Sequence, residues 1–207
     1  MNAARIALFV LLNPIRGFRI IKEDREKFSY APIFVLFLII MMVRIISIYF
    51  THYPLATLQP RDTNIGLELS RMIIPLVTWS IGSYAMTTIL EGKTMLREQF
   101  ASTAFAMMPY IICTPVITLV SQVMSQKDAA LFYNFEVIKW GWIIMLFFIS
   151  TSTMNEYGFW KTVGICILGI LTVVIIWLLC GLFFALTDQI IVFFKEVFNE
   201  IKLMFSE

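Results

Sequence analysis

"APIFVLFLIIMMVRIISIYF", residues 31–50, carries one charge, Arg44, in an otherwise greasy run. At 1.5 Å per residue a helix over it is about 30 Å long, the thickness of a bilayer's hydrocarbon core. The rest of the chain has the same character. Of its 207 residues 59% are hydrophobic, and mean hydropathy is +0.83. A water-soluble domain of this length could not bury that much apolar surface, so lipid is the solvent this composition requires.

Working outward, four more apolar windows follow, at about 67–90, 101–124, 137–154 and 163–186. Their connectors, "EGKTMLREQF", "SQKDAALFYNFE" and "NEYGFWK", are short, which makes sequence neighbours antiparallel neighbours in one bundle. The expected fold is an all-α membrane protein over residues 1–207, a single five-transmembrane-helix domain with amphipathic helices at both ends. The C-terminal one, about 188–205, has an apolar stripe through Ile190, Phe194, Phe198 and Ile201. Such a helix lies in a membrane interface or packs on a partner. "ARIALFVLL" near the start is a shorter candidate of the same kind.

Immediately upstream of the first span, "NPIRGFRIIKEDREKFSYAP" (13–32) concentrates charge. With the N-terminus inside, the inner segments carry nine basic residues: Arg5, Arg16, Arg19, Lys22, Arg25, Lys27, Lys93, Arg97 and Lys161. The outer segments carry four: Arg61, Lys127, Lys195 and Lys202. The positive-inside rule then gives an N-in, C-out topology, and the opening segment sets it. No small-residue cleavage site precedes Pro14, so the start is read as retained.

The inventory for chemistry is thin. His52 is the only histidine, which leaves no His-pair metal motif and no His-based triad. Cys113, Cys166 and Cys180 lie in apolar runs without metal or disulfide spacing. No P-loop, dinucleotide fingerprint or nucleophile elbow is present. The expectation is a protein with no enzyme activity, no cofactor and no metal. A net charge of +2 is too small to argue for nucleic acid.

Ionisable residues in or beside spans are sharper. Arg44 sits deep in the first span, Glu68 and Arg71 are three apart in the second, and Glu136 and Lys139 repeat that spacing in the fourth. Intramembrane charge is a functional candidate by default. All five lie toward one membrane face, however, where snorkelling and i,i+3 pairing satisfy them. Polar stripes run along Ser80, Ser83, Tyr84, Thr87 and Glu91, and along Thr114, Thr118, Ser121 and Ser125, the latter broken by Pro109 and Pro115. They serve helix packing or line a pathway. Packing is the reading adopted, because no midplane acid, lysine or histidine accompanies them.

The motifs, taken in order, resemble the Yip-domain family of five-span membrane proteins, in the style of its bacterial branch. "NPIRGFRIIKE" is similar to an N-terminal Asn-Pro-x-x-x-Phe signature through Asn13, Pro14 and Phe18. "EGKTMLREQFASTAFAMMPYIICTP" is similar to its glycine-containing inner loop and proline-bearing span through Gly92, Lys93 and Pro109. The resemblance implies neither enzyme activity nor a cofactor. It also implies a bacterial setting beside carbohydrate ABC-importer components. The expected function is an accessory or scaffold subunit whose partners are the bilayer and the helices of a transporter permease. The alternatives are a small autonomous transporter or channel, and a membrane-organising or trafficking protein.

Overall fold

A computed structural model describes residues 3–23, 30–52, 55–56 and 63–204, with side chains from Ile6 to Val197 among them. Asp24, Arg25, Glu26 and Lys27 of the charge run lie outside the described residues. So do the side chains of Phe198 and Ile201. The described residues form eight α-helices, one 3-10 turn and no strand. The helices are α1 (Ala3–Leu12), α2 (Pro14–Glu23), α3 (Tyr30–Phe50), α4 (Ile65–Ile89), α5 (Leu96–Ala106), α6 (Met108–Ser121), α7 (Ala129–Asn155) and α8 (Phe159–Met204).

Five units are long and apolar enough to cross a membrane: α3, α4, α5 with α6, α7 with the turn before it, and α8. The helices overrun the windows read from hydropathy. The third unit starts at Leu96 rather than near 101, and α7 starts at Ala129 rather than near 137. The reason is physical. Hydropathy marks the residues that suit hydrocarbon, whereas the backbone stays hydrogen-bonded into the polar layer.

The third span is the hub. Of its apolar window 61% is buried, against 11–33% in the other four. α5 is built from small residues, Ala101, Ser102, Thr103, Ala104 and Ala106, all buried, which lets neighbouring backbones come close. Ser80 of α4 donates to Thr103 Oγ1 at 2.8 Å across one such contact. The helix breaks at Met107 because Pro109, in the first turn of α6, has no N–H for the carbonyl of Phe105. Pro115 and Pro75 lie inside α6 and α4 without ending either helix.

α1 and α2 form a tight hairpin. Asn13 joins them: its N–H donates to the Phe9 carbonyl at 2.7 Å, and its Oδ1 accepts from the Arg16 N–H at 3.3 Å. Pro14 opens α2, where a missing N–H costs nothing. Gly17 is the crossing point, since a Cβ there would lie 2.7 Å from the Val10 backbone nitrogen. The hairpin does not lie free on a lipid interface. Ile6, Val10, Phe18 and Ile21 are buried in one cluster with Ile33, Phe105, Met108, Leu146 and Met154.

α8 differs from the separate span and terminal helix that the sequence predicts. It is one helix of 46 residues, about 69 Å long. No Gly or Pro interrupts Thr187-Asp188-Gln189, so nothing bends the chain onto an interface. Its first half packs through Thr162, Ile165, Gly169 and Val173. Gly169 meets Trp79, and Gly82 of α4 meets Val173. Among the described residues Trp177 makes the last side-chain hydrogen bond to the bundle, donating from Nε1 to Thr78 Oγ1 at 3.2 Å.

Candidate functional sites

At the end of the bundle away from the α1–α2 hairpin, α3, α6 and α7 enclose a cavity of about 780 Å³. The charges read from sequence in or beside the spans gather around it. Arg44 of α3 lines it and donates from Nη2 to Glu68 Oε2 of α4 at 2.6 Å. Arg71 holds the other oxygen of Glu68 at 2.8 Å, so a carboxylate only 4% exposed takes a cation on each side. Glu136 and Lys139 also line the cavity and pair at 2.7–2.8 Å. Lys139, 3% exposed, reaches Thr114 Oγ1 at 3.3 Å and lies 5.0 Å from the Tyr110 ring and 5.7 Å from the Trp140 ring. Buried charge survives when paired and hydrogen-bonded, and both conditions hold here.

The i,i+3 pairs expected from sequence are both present. Arg44 does not simply snorkel; it bridges to the second span. Tyr110 and Trp140 complete the site and were not singled out from sequence. The signal for Trp140 was an aromatic flanking Lys139, which any interfacial aromatic belt also produces, and Tyr110 had none.

The opposite end carries a second polar assembly. Glu91 and Glu156 have left-handed backbones, each with φ of 58°, and close matching turns. The Gly92 N–H donates to the Thr87 carbonyl at 2.6 Å, and the Tyr157 N–H to the Ser152 carbonyl at 3.0 Å. These are the six-to-one bonds of a Schellman cap. The two turns then lock together. Asn155 Oδ1 accepts from Thr94 Oγ1 at 2.6 Å, and Tyr157 Oη donates to the Leu90 carbonyl at 3.2 Å. Gly92 sits where no Cβ fits, with Asn155 Oδ1 2.6 Å and Tyr157 Oη 2.7 Å from that point.

Lys22 of α2 and Lys93 each grip one oxygen of Glu156, at 2.8 and 2.5 Å. These two lysines hold the Glu156 carboxyl down to about 2. Thus Gly92 and Lys93 belong to a lock between the two turns, while Asn13, Pro14 and Phe18 build the hairpin that delivers Lys22 to it. Pro109 breaks the hub helix.

The third feature is the free half of α8. From Trp177 to Glu196 every residue is exposed, on all sides of the helix. Ile190, Ile191, Phe193 and Phe194 lie beyond the apolar window and present large side chains there. Hydrocarbon covers about 20 helical residues, so this stretch continues past what one crossing needs.

The polar stripes divide. Ser80 and Thr87 are buried in helix contacts, Thr114 lines the cavity, and Ser121 Oγ accepts from the His52 N–H at 3.2 Å. No family model matches the sequence, and no curated protein or solved structure is similar to it.

Proposed function

We propose that this chain is a non-enzymatic accessory subunit of a membrane complex, docking on neighbouring membrane helices through the second half of α8. One observation carries the reading. A helix anchored by Thr162, Ile165, Gly169 and Val173 leaves its own bundle at Trp177 and continues, uncovered, as an apolar-faced arm. Lipid suits the part inside the bilayer. The stripe through Ile190 and Phe194, beyond the window, needs a protein or interfacial cover, because exposed apolar patches of this kind mark interaction surfaces. The resemblance to the Yip-domain family makes a carbohydrate-importer permease, in a bacterial cytoplasmic membrane with the N-terminus inside, the first partner to test.

The test is recovery of a defined complex from native membranes in mild detergent, with the tagged chain at native expression. A stoichiometric membrane partner is expected, lost on joint Phe194→Ser and Phe198→Ser substitution while the chain itself stays folded. Recovery of the chain alone removes the proposal.

The charged cavity favours a second reading, a small transporter. Against it, the cavity shares no lining residue with the pocket of about 740 Å³ at the hairpin end. Buried Ala104, Phe105, Met107 and Met108 of the hub and Ile143 and Leu146 of α7 lie between them. Solute flux into proteoliposomes containing only this chain would restore that reading.

A further inference from the structure

The cavity between α3, α6 and α7 has features that the ion pairs leave unexplained. Tyr110 lines it and is 2% exposed, and its hydroxyl lies beside the Arg44 guanidinium, which can only donate, so the O–H has no acceptor. Buried hydroxyls ordinarily find a partner, and an orphan facing a cavity marks where an acceptor belongs. Arg44 engages Glu68 through Nη2 alone, although a guanidinium carries five N–H donors. Of the charged residues that line the cavity two are cations, Arg44 and Lys139, and one is a carboxylate, Glu136; with Glu68 and the exposed Arg71 behind Arg44 included, the cluster still carries one net positive charge.

Apart from Ser47, Thr51 and Thr114 the rest of the lining is apolar or aromatic, and it opens sideways. Val137, Trp140 and Ile144 line the cavity and are exposed on the lipid-facing flank of α7. Gly141, between them, lines it too, and a Cβ added there would meet nothing within 4 Å. The cavity therefore has a cationic, donor-rich floor inside the span and a greasy side mouth. Floor and mouth together match a molecule with an acidic head and an apolar tail.

We propose that this cavity is a binding site for an acidic phospholipid, its phosphate accepting from Tyr110 Oη and Arg44 and its acyl chain leaving past Gly141. The site is independent of the α8 arm. Charge complementarity names the occupant: a zwitterionic head brings its own cation to a floor already positive, and a free anion leaves the apolar mouth unfilled.

The test uses the full chain, delipidated in detergent and titrated with dioleoyl phosphatidylglycerol, dioleoyl phosphatidylcholine or inorganic phosphate. Occupancy is read by native mass spectrometry. One phosphatidylglycerol per chain is expected, held about ten-fold more tightly than phosphatidylcholine. Tyr110→Phe, which removes one donor to a charged acceptor and leaves no protein group unpaired, should weaken phosphatidylglycerol about ten-fold.

Gly141→Leu should abolish retention by filling the mouth. Its lipid-free unfolding temperature should hold or rise, because leucine is the better helix former. Equal retention of the two lipids overturns the proposal, as does undiminished phosphatidylglycerol binding in Gly141→Leu. Inorganic phosphate occupying the site at millimolar concentration in place of lipid overturns it too.

Discussion

Glu91 and Glu156 occupy left-handed backbone positions where glycine is the unstrained residue, and only one of them has a compensating role. Glu91→Gly should therefore stabilise the protein by about 1 kcal/mol, measured by equilibrium unfolding in detergent. Glu156→Gly should gain less, because it removes the carboxylate that Lys22 and Lys93 share. The same pairing makes a pH prediction. The folded Glu156 carboxyl titrates near 2, below its unfolded value of 4.5. Its contribution is thus fully present above about pH 4.5 and lost as pH falls toward 2. The melting-temperature gap between wild type and Glu156→Gln should stay constant from pH 8 to 5 and close below 4.5. Being surface-exposed, the pair should also weaken in salt. Little of this was legible in the sequence. "NEYGFWK" reads as a plain connector, since a glutamate in a left-handed turn has no sequence signature and its lysine partners lie far along the chain. Gly92 and Lys93 were reachable through motif resemblance, but their contacts were not.

At the scale of elements, the hairpin and the terminal helix contain phenylalanines that look alike in sequence and behave differently in the fold. Phe18 is fully buried between α2 and the hub, whereas Phe194 is 65% exposed. Phe18→Ala should cost about 3–5 kcal/mol, and Phe194→Ala should stay within about 0.5 kcal/mol in the isolated chain. Gly17→Ala should separate α1 from α2, because the obstructing atoms belong to the Val10 backbone and cannot rotate away. Limited proteolysis after Leu12 would report that release. The spans themselves were legible, since a 20-residue apolar window has few other uses in a folded chain. Pro109 likewise announced a broken third span. The docking face of α1 was not legible, because ten residues give too few turns for periodicity to name what they pack against. The continuity of α8 was hidden for a different reason: the change from all-apolar to striped composition at about 187 marks a change of environment, not of backbone.

For the whole molecule, a buried, proline-broken hub collects α1 to α4 and α7 around it while α8 packs on α4 and α7, with an ion-paired cavity at one end and a lysine-clamped pair of turns at the other. The local charge pairs, Glu68 with Arg71 and Glu136 with Lys139, could be read from spacing. Their convergence with Arg44, Tyr110 and Trp140 needed the antiparallel packing of four helices. This arrangement leaves α8 as the element held on one half and uncovered on the other, and the proposed accessory role depends on it. Photo-crosslinking in native membranes tests that role most directly. A crosslinking residue is placed singly at Leu178, Leu182, Leu186, Ile190 and Phe194, at the remaining faces of the same stretch, and at Phe34 and Val35 on the lipid side of α3. The account predicts adducts to one membrane protein, confined to one face of α8 and absent from α3. Lipid adducts alone, equal on every face of α8, would contradict it.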